Sequence, residues 1–145
     1  MMNALKPIVF SALIASWALS CSSPEKDDTA KNHIPDHPVN GKWLVEQHMD
    51  EHIREGHRLL ESFVKHGDTA VHMFARAMEK HNDKLIASCS MKGVAHDTLH
   101  AWLHPHIAFT EALKQASSPD EAMAALHQLE ASFVDYTERF ASAEE

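Results

Sequence analysis

From Trp43 to the C-terminus, apolar residues return every three or four positions, the period of helices with one buried face. The first such stretch spans about 43 to 66. Val45, Met49, Ile53, Gly56, Leu60 and Phe63 share one stripe, and Glu46, Asp50, Arg54, Arg58, Glu61 and Lys65 lie opposite. Gly67-Asp68 punctuates it, with Asp68 a fair cap for the next helix, about 69 to 90. The inner stripe of that helix reads Ala70, Phe74, Ala77, Met78, Leu85 and Cys89. Gly93 breaks the pattern, and a third helix follows, about 94 to 116, with Ala95, Leu99, Trp102, Leu103 and Leu113 inward. Pro105 inside it deprives the Ala101 carbonyl of its donor and predicts a kink. Ser118-Pro119-Asp120-Glu121 is a capping box with proline at the first helical position. The fourth helix then runs to about 142, with Ala122, Leu126, Leu129, Phe133, Tyr136 and Phe140 inward. No run reads as a strand. Four amphipathic helices with short connections predict an all-α, antiparallel up-down-up-down four-helix bundle over 43–145.

Ahead of the bundle the pattern changes. Lys6 precedes an uncharged apolar run, Ile8 to Leu19, that ends in Leu19-Ser20-Cys21. This resembles the lipobox of bacterial lipoprotein precursors, with Ser20 as the small residue before the cleavage point. The resemblance implies a signal peptide over 1–20, diacylation of the Cys21 thiol, cleavage before Cys21 and acylation of the new N-terminus. Several acyl chains on one residue exceed the two-anchor threshold for stable membrane attachment. Ser22, rather than Asp, follows the cysteine. By resemblance to the sorting rule of Gram-negative lipoproteins, this implies an outer-membrane anchor with the domain facing the periplasm. An ordinary secretory signal cut elsewhere is the competing reading. The run falls short of the ~20 residues of a spanning helix. Residues 21–42 then read as the lipidated cysteine and a flexible tether, with Pro24, Pro35, Pro38 and the charged run Glu25-Lys26-Asp27-Asp28.

Charge narrows the partners. Lys6 falls in the leader, so the mature part keeps 12 Lys+Arg against 21 Asp+Glu, a net charge of −9 with His neutral. That argues against nucleic acid and against a basic patch for anionic lipid. With Cys21 acylated, Cys89 has no intramolecular partner; a lone thiol in an oxidising compartment is buried, paired between chains or bound to metal.

All 13 His lie in the mature part, with five Met: Met49, Met73, Met78, Met91 and Met123. Helical projection puts His57, His72, His104 and His127 on polar faces, and His48, His66 and His100 at boundaries. It puts His81 and His106 within the inner stripes of the second and third helices, and His52 at the inner edge of the first. His52 lies 15 residues before Gly67 and His81 lies 14 after it. At ~1.5 Å per residue both are roughly 21–23 Å from that turn, and a similar count about Gly93 brings His106 to the same level. Met78 lies one turn from His81.

Burying an imidazole among Leu and Phe costs roughly 1–3 kcal/mol when its polar atoms lack partners. These three either satisfy one another and a hydroxyl (Thr110, Ser132 or Thr137), or share a cation. Three His with an open position suit Zn(II) or Cu(II), and added Met or Cys favours Cu(I). The spacings His48-x-x-x-His52, His96-x-x-x-His100 and His100-x-x-x-His104 each put two rings on one helical face. Loose binding by the many other His, including His33 and His37, is a further alternative.

Other chemistries are missing their residues. There is no Cys-x-x-Cys-His for c-type haem and no Glu-x-x-His pair for a di-iron carboxylate site. The architecture resembles cytochrome b562, but His127, the fourth helix's one His, faces outward. The expectation is a non-enzymatic envelope lipoprotein that binds Zn or Cu as a buffer, sensor or metallochaperone. His52, His81 and His106 are its inner ligands, Met78 the soft addition, and His48 and His100 outer members. Affinity should fall as acid protonates the rings. The alternative is a non-metal scaffold that docks an envelope protein through a helix face.

Overall fold

The computed structural model describes residues 34–143. The lipobox, Cys21, His33 and most of the expected tether lie outside them. The order is β1 (Trp43–Val45), α1 (Gln47–Lys65), α2 (Val71–Ser88), α3 (Gly93–Gln115), α4 (Pro119–Arg139) and β2 (Phe140–Ser142). The helices form the antiparallel four-helix bundle, α1 packing on α2, α2 on α3, α3 on α4, and α4 back on α1.

Local sequence explains the turn after α1 and the start of α4. Gly67, at φ +60°, turns the chain after α1, and its N–H reaches the Val64 carbonyl at 3.1 Å. Ser118 caps α4 by accepting from the Glu121 N–H at 3.3 Å, while the Glu121 carboxylate accepts from Ser117 N–H at 2.7 Å. α3 runs on through Pro105. Its capping residue Lys92 supplies no side-chain bond; Asp36 does so from upstream, accepting from Val94 N–H at 3.3 Å. A Cβ on Gly93 would stand 2.8 Å from that Asp36 oxygen, so glycine is what lets the carboxylate in.

Two short strands replace the helical ends expected at 43–45 and 140–142. β1 and β2 pair in parallel, Trp43 with Phe140, Leu44 with Ala141 and Val45 with Ser142. The aromatic and branched run Trp43-Leu44-Val45 suits a strand, and pairing satisfies backbone groups that helix ends would leave open. Lys42 Nζ clamps the same end, donating to the Thr137 carbonyl at 2.7 Å. From residue 34 onward the segment expected to be a tether lies against the bundle, with Ile34 packed on the core.

The core matches the stripes of α3 and most of those of α1 and α4. Asp50, expected on the polar face, is 4% exposed. It can be buried because Tyr136 Oη donates to its Oδ1 at 2.8 Å and Arg54 Nε to its Oδ2 at 2.5 Å. α2 is rotated from the expected stripe. Ala75, Met78, Asn82 and Leu85 are its buried residues, and Ala77 is exposed. Asn82 takes the central polar place, donating to Thr110 Oγ1 at 3.2 Å. His81, expected mid-stripe, therefore sits at the edge that faces α1.

Candidate metal centre

His52 on α1 and His81 on α2 meet at the seam of the two helices, as their near-equal distances from Gly67 require. The His81 Nε2–H donates to the His52 carbonyl at 2.8 Å, and the two ring centroids are 5.6 Å apart. Gly56 makes the approach possible. A Cβ there would stand 3.1 Å from Cδ2 and Nε2 of His81 and 3.3 Å from Cζ of Phe133. Because a carbonyl can only accept, neutral His81 carries its proton on Nε2 and its lone pair on Nδ1. Such a bond from the second ring nitrogen is the usual way a ligating imidazole is oriented.

His52 Nδ1 is buried and has no hydrogen-bond partner, which no other side-chain polar atom so deeply buried shares among the described residues. An unmet nitrogen of this kind costs about 1–3 kcal/mol. Glu55, one turn along α1, completes a group: one donor atom each from His52, Glu55 and His81 lie within 4.8 Å of one another. The adjoining surface groove, about 390 Å³, is lined by His48, Glu51, His52, Glu55 and Arg58 and offers access from solvent.

His106 follows the other alternative open to a core imidazole. It is 1% exposed, and its Nδ1 lies 2.7 Å from Ser132 Oγ. The Ser132 hydroxyl donates to the Leu129 carbonyl at 2.8 Å, so its oxygen accepts from His106 Nδ1–H. The ring stacks on Trp102 at 5.0 Å and meets Phe133 edge-on at 4.7 Å. Burial, and secondarily the charge of nearby His81, push its pKa down to about 4, so it is neutral near pH 7. Met78, one turn from His81, is fully buried in the core.

Of the expected outer members, His48 shares the groove with His52 and Glu55, and His100 lies on α3 in a second group. His48 is exposed, its Nε2 donating to the Ser88 carbonyl at 3.1 Å and lying 3.5 Å from a Glu46 oxygen. His100 joins a second group with Cys89 and His96, whose donor atoms also fall within 4.8 Å of one another. The rings of His96, His100 and His104 form a ladder along α3, with centroid spacings of 4.3 and 5.9 Å. Burial first, then the charges of His96 and His104, hold His100 below the usual imidazole range, against a smaller opposing pull from Asp97.

Three members, Glu55, Cys89 and His96, were legible in the spacing but absent from the expected set. His52-x-x-Glu55 is an i, i+3 pair, His96-x-x-x-His100 an i, i+4 pair, and Cys89 precedes His96 by seven residues across the α2–α3 connection. His57, projected onto a polar face, instead lies flat on Phe133 at 4.9 Å, with Glu61 3.6 Å away. His72, His104 and His127 are exposed.

Fold and donor groups together define a four-helix bundle carrying His, Glu and Cys clusters able to hold a metal ion. No family model matches the chain, and neither do the curated proteins or solved structures compared with it. Among the described residues, no helix is long and apolar enough to cross a membrane.

Proposed function

We propose that this chain is a non-catalytic, membrane-anchored lipoprotein of the cell envelope that binds a borderline divalent ion, Zn(II) or Cu(II), at the α1–α2 seam. His52, His81 and Glu55 are the ligands. One observation carries the reading: the buried, unpartnered Nδ1 of His52 beside an imidazole already oriented by a carbonyl. Two nitrogens and a carboxylate oxygen suit these ions and leave a position open for release or exchange. An open position and a solvent-facing groove favour buffering or hand-over above permanent storage. The anchor and its periplasmic side rest on the pattern at 1–21.

Isothermal titration of the full chain with Zn(II) and Cu(II) tests the site. Binding at the seam should be tighter than to a His-rich control peptide, and His52→Ala should weaken it by more than about tenfold, the effect of losing even an outer-shell partner. Uptake no tighter than the peptide's would leave only the scaffold reading.

A further inference from the structure

We infer that the α2–α3 corner is a second, independent metal site, formed by Cys89, His96 and His100 and selective for thiophilic d10 cations, Cu(I) or Zn(II). It does not depend on the seam site being occupied.

The geometry is already close to a coordination shell. Cys89 is the residue that ends α2, with extended backbone at φ −68° and ψ 119°. His96 and His100 stand one turn apart at the start of α3, their rings 4.3 Å from centroid to centroid. Three donors from two helix ends thus fall within 4.8 Å of one another. Ligands at 2.0–2.3 Å in a tetrahedron are roughly 3.3–3.8 Å apart, so closure on an ion asks for a contraction of at most about 1.5 Å. The exposed Ser90 and Lys92 lie in the connection that would absorb it.

The donor set separates the corner from the seam. The seam offers two nitrogens and a hard oxygen, while the corner replaces the oxygen with sulfur. Thiolate with imidazole is the combination that selects Cu(I) and Zn(II) over oxygen-seeking ions. Metal binding displaces the thiol proton, which leaves to solvent, and no electrons are exchanged. The three groups are each partly buried, so the site is reachable from solvent yet shielded on one side.

Cobalt(II) is the direct probe, because a thiolate–cobalt bond gives a near-ultraviolet charge-transfer band that imidazole and carboxylate ligands do not. The full chain should be reduced, its free thiol counted, and titrated with Co(II) without oxygen. The band should appear, vanish in Cys89→Ser, weaken by more than about tenfold in affinity in His96→Ala and in His100→Ala, and persist in His52→Ala. Zn(II) and Cu(I), added separately, should each bleach it, and their relative potency ranks the two ions. Circular dichroism of Cys89→Ser checks that the bundle remains folded. Absence of the band with the thiol fully reduced overturns the site. So does a band indifferent to both histidine substitutions, which would mean that the cysteine binds by itself.

Discussion

The Tyr136 hydroxyl donates to Oδ1 of Asp50 at 2.8 Å, tying α4 to α1 inside the bundle. Burial pushes the phenol's pKa upward, and the adjacent Asp50 charge and hydrogen bond push it further, so the tyrosine remains a donor at all ordinary pH. Tyr136→Phe leaves a 4% exposed carboxylate with one donor fewer. The expected loss is about 1.5–3 kcal/mol, the range for bonds to charged groups. Urea unfolding followed by Trp fluorescence reads it; an unchanged midpoint would show that Asp50 does not need the bond.

Gly56→Ala sets two effects against each other. Alanine gains up to about 1 kcal/mol of helix propensity. Its Cβ meets the His81 ring at 3.1 Å and Phe133 at 3.3 Å. The His81 ring is held by the His52 carbonyl, and Phe133 is wedged among His57, Trp102 and His106. Neither can yield freely, so crowding of about 1–3 kcal/mol prevails. The variant should unfold at lower denaturant and bind Zn(II) at the seam more weakly.

Acid should weaken the fold partly through His106. Its folded pKa of about 4 lies below the ordinary 6.5 of an exposed imidazole. Between these values the unfolded chain binds the extra proton, so stability is present in full above pH 6.5 and drains away as pH falls to about 4. For this nearly fully buried ring the loss approaches about 3 kcal/mol. His106→Leu removes the titrating group, and Ser132 keeps the Leu129 carbonyl as its partner. A plot of unfolding free energy against pH should be flatter for that variant in this window; parallel curves would contradict it.

Phe140, in β2, is 1% exposed and stacks on Tyr136 at 5.1 Å. Phe140→Ala should cost about 3–5 kcal/mol, as for large aromatic truncations in a core. Thermal unfolding by circular dichroism measures it. A cost below about 1 kcal/mol would mean the strand pair is peripheral to stability.

Zinc should stabilise the native bundle. At a concentration 100 times the dissociation constant, one site adds about 2.7 kcal/mol. The upward shift in Tm should shrink in His52→Ala and again when Cys89→Ser is combined with it.

How far the sequence spoke depended on how near each partner lay. The start of α4 was legible because Ser118, Pro119 and Glu121 act within one turn. Trp43-Leu44-Val45 continued a helical stripe by period, and its strand identity depends on Phe140-Ala141-Ser142 at the far end of the described chain. Asp50 read as solvated because one of its two donors, Tyr136, is on another helix. In α2 the choice between His81 and Asn82 is a rotation of one residue, about 100°, decided by Thr110 on α3. The same rotation separated His81 from the middle of the core and delivered it to His52. His106 carried the right level, but periodicity cannot announce a serine hydroxyl waiting on the opposite helix.

The Asp36 cap on α3 and the β1–β2 pair both lie upstream of, or beside, the first residue of α1. A mechanical pull arriving along the backbone from residue 34 is therefore shared out to α3 and α4 before it can unwind α1. The ligands His52 and Glu55 sit beyond that strain relief, so jostling of the chain's leading end need not disturb the grip on an ion.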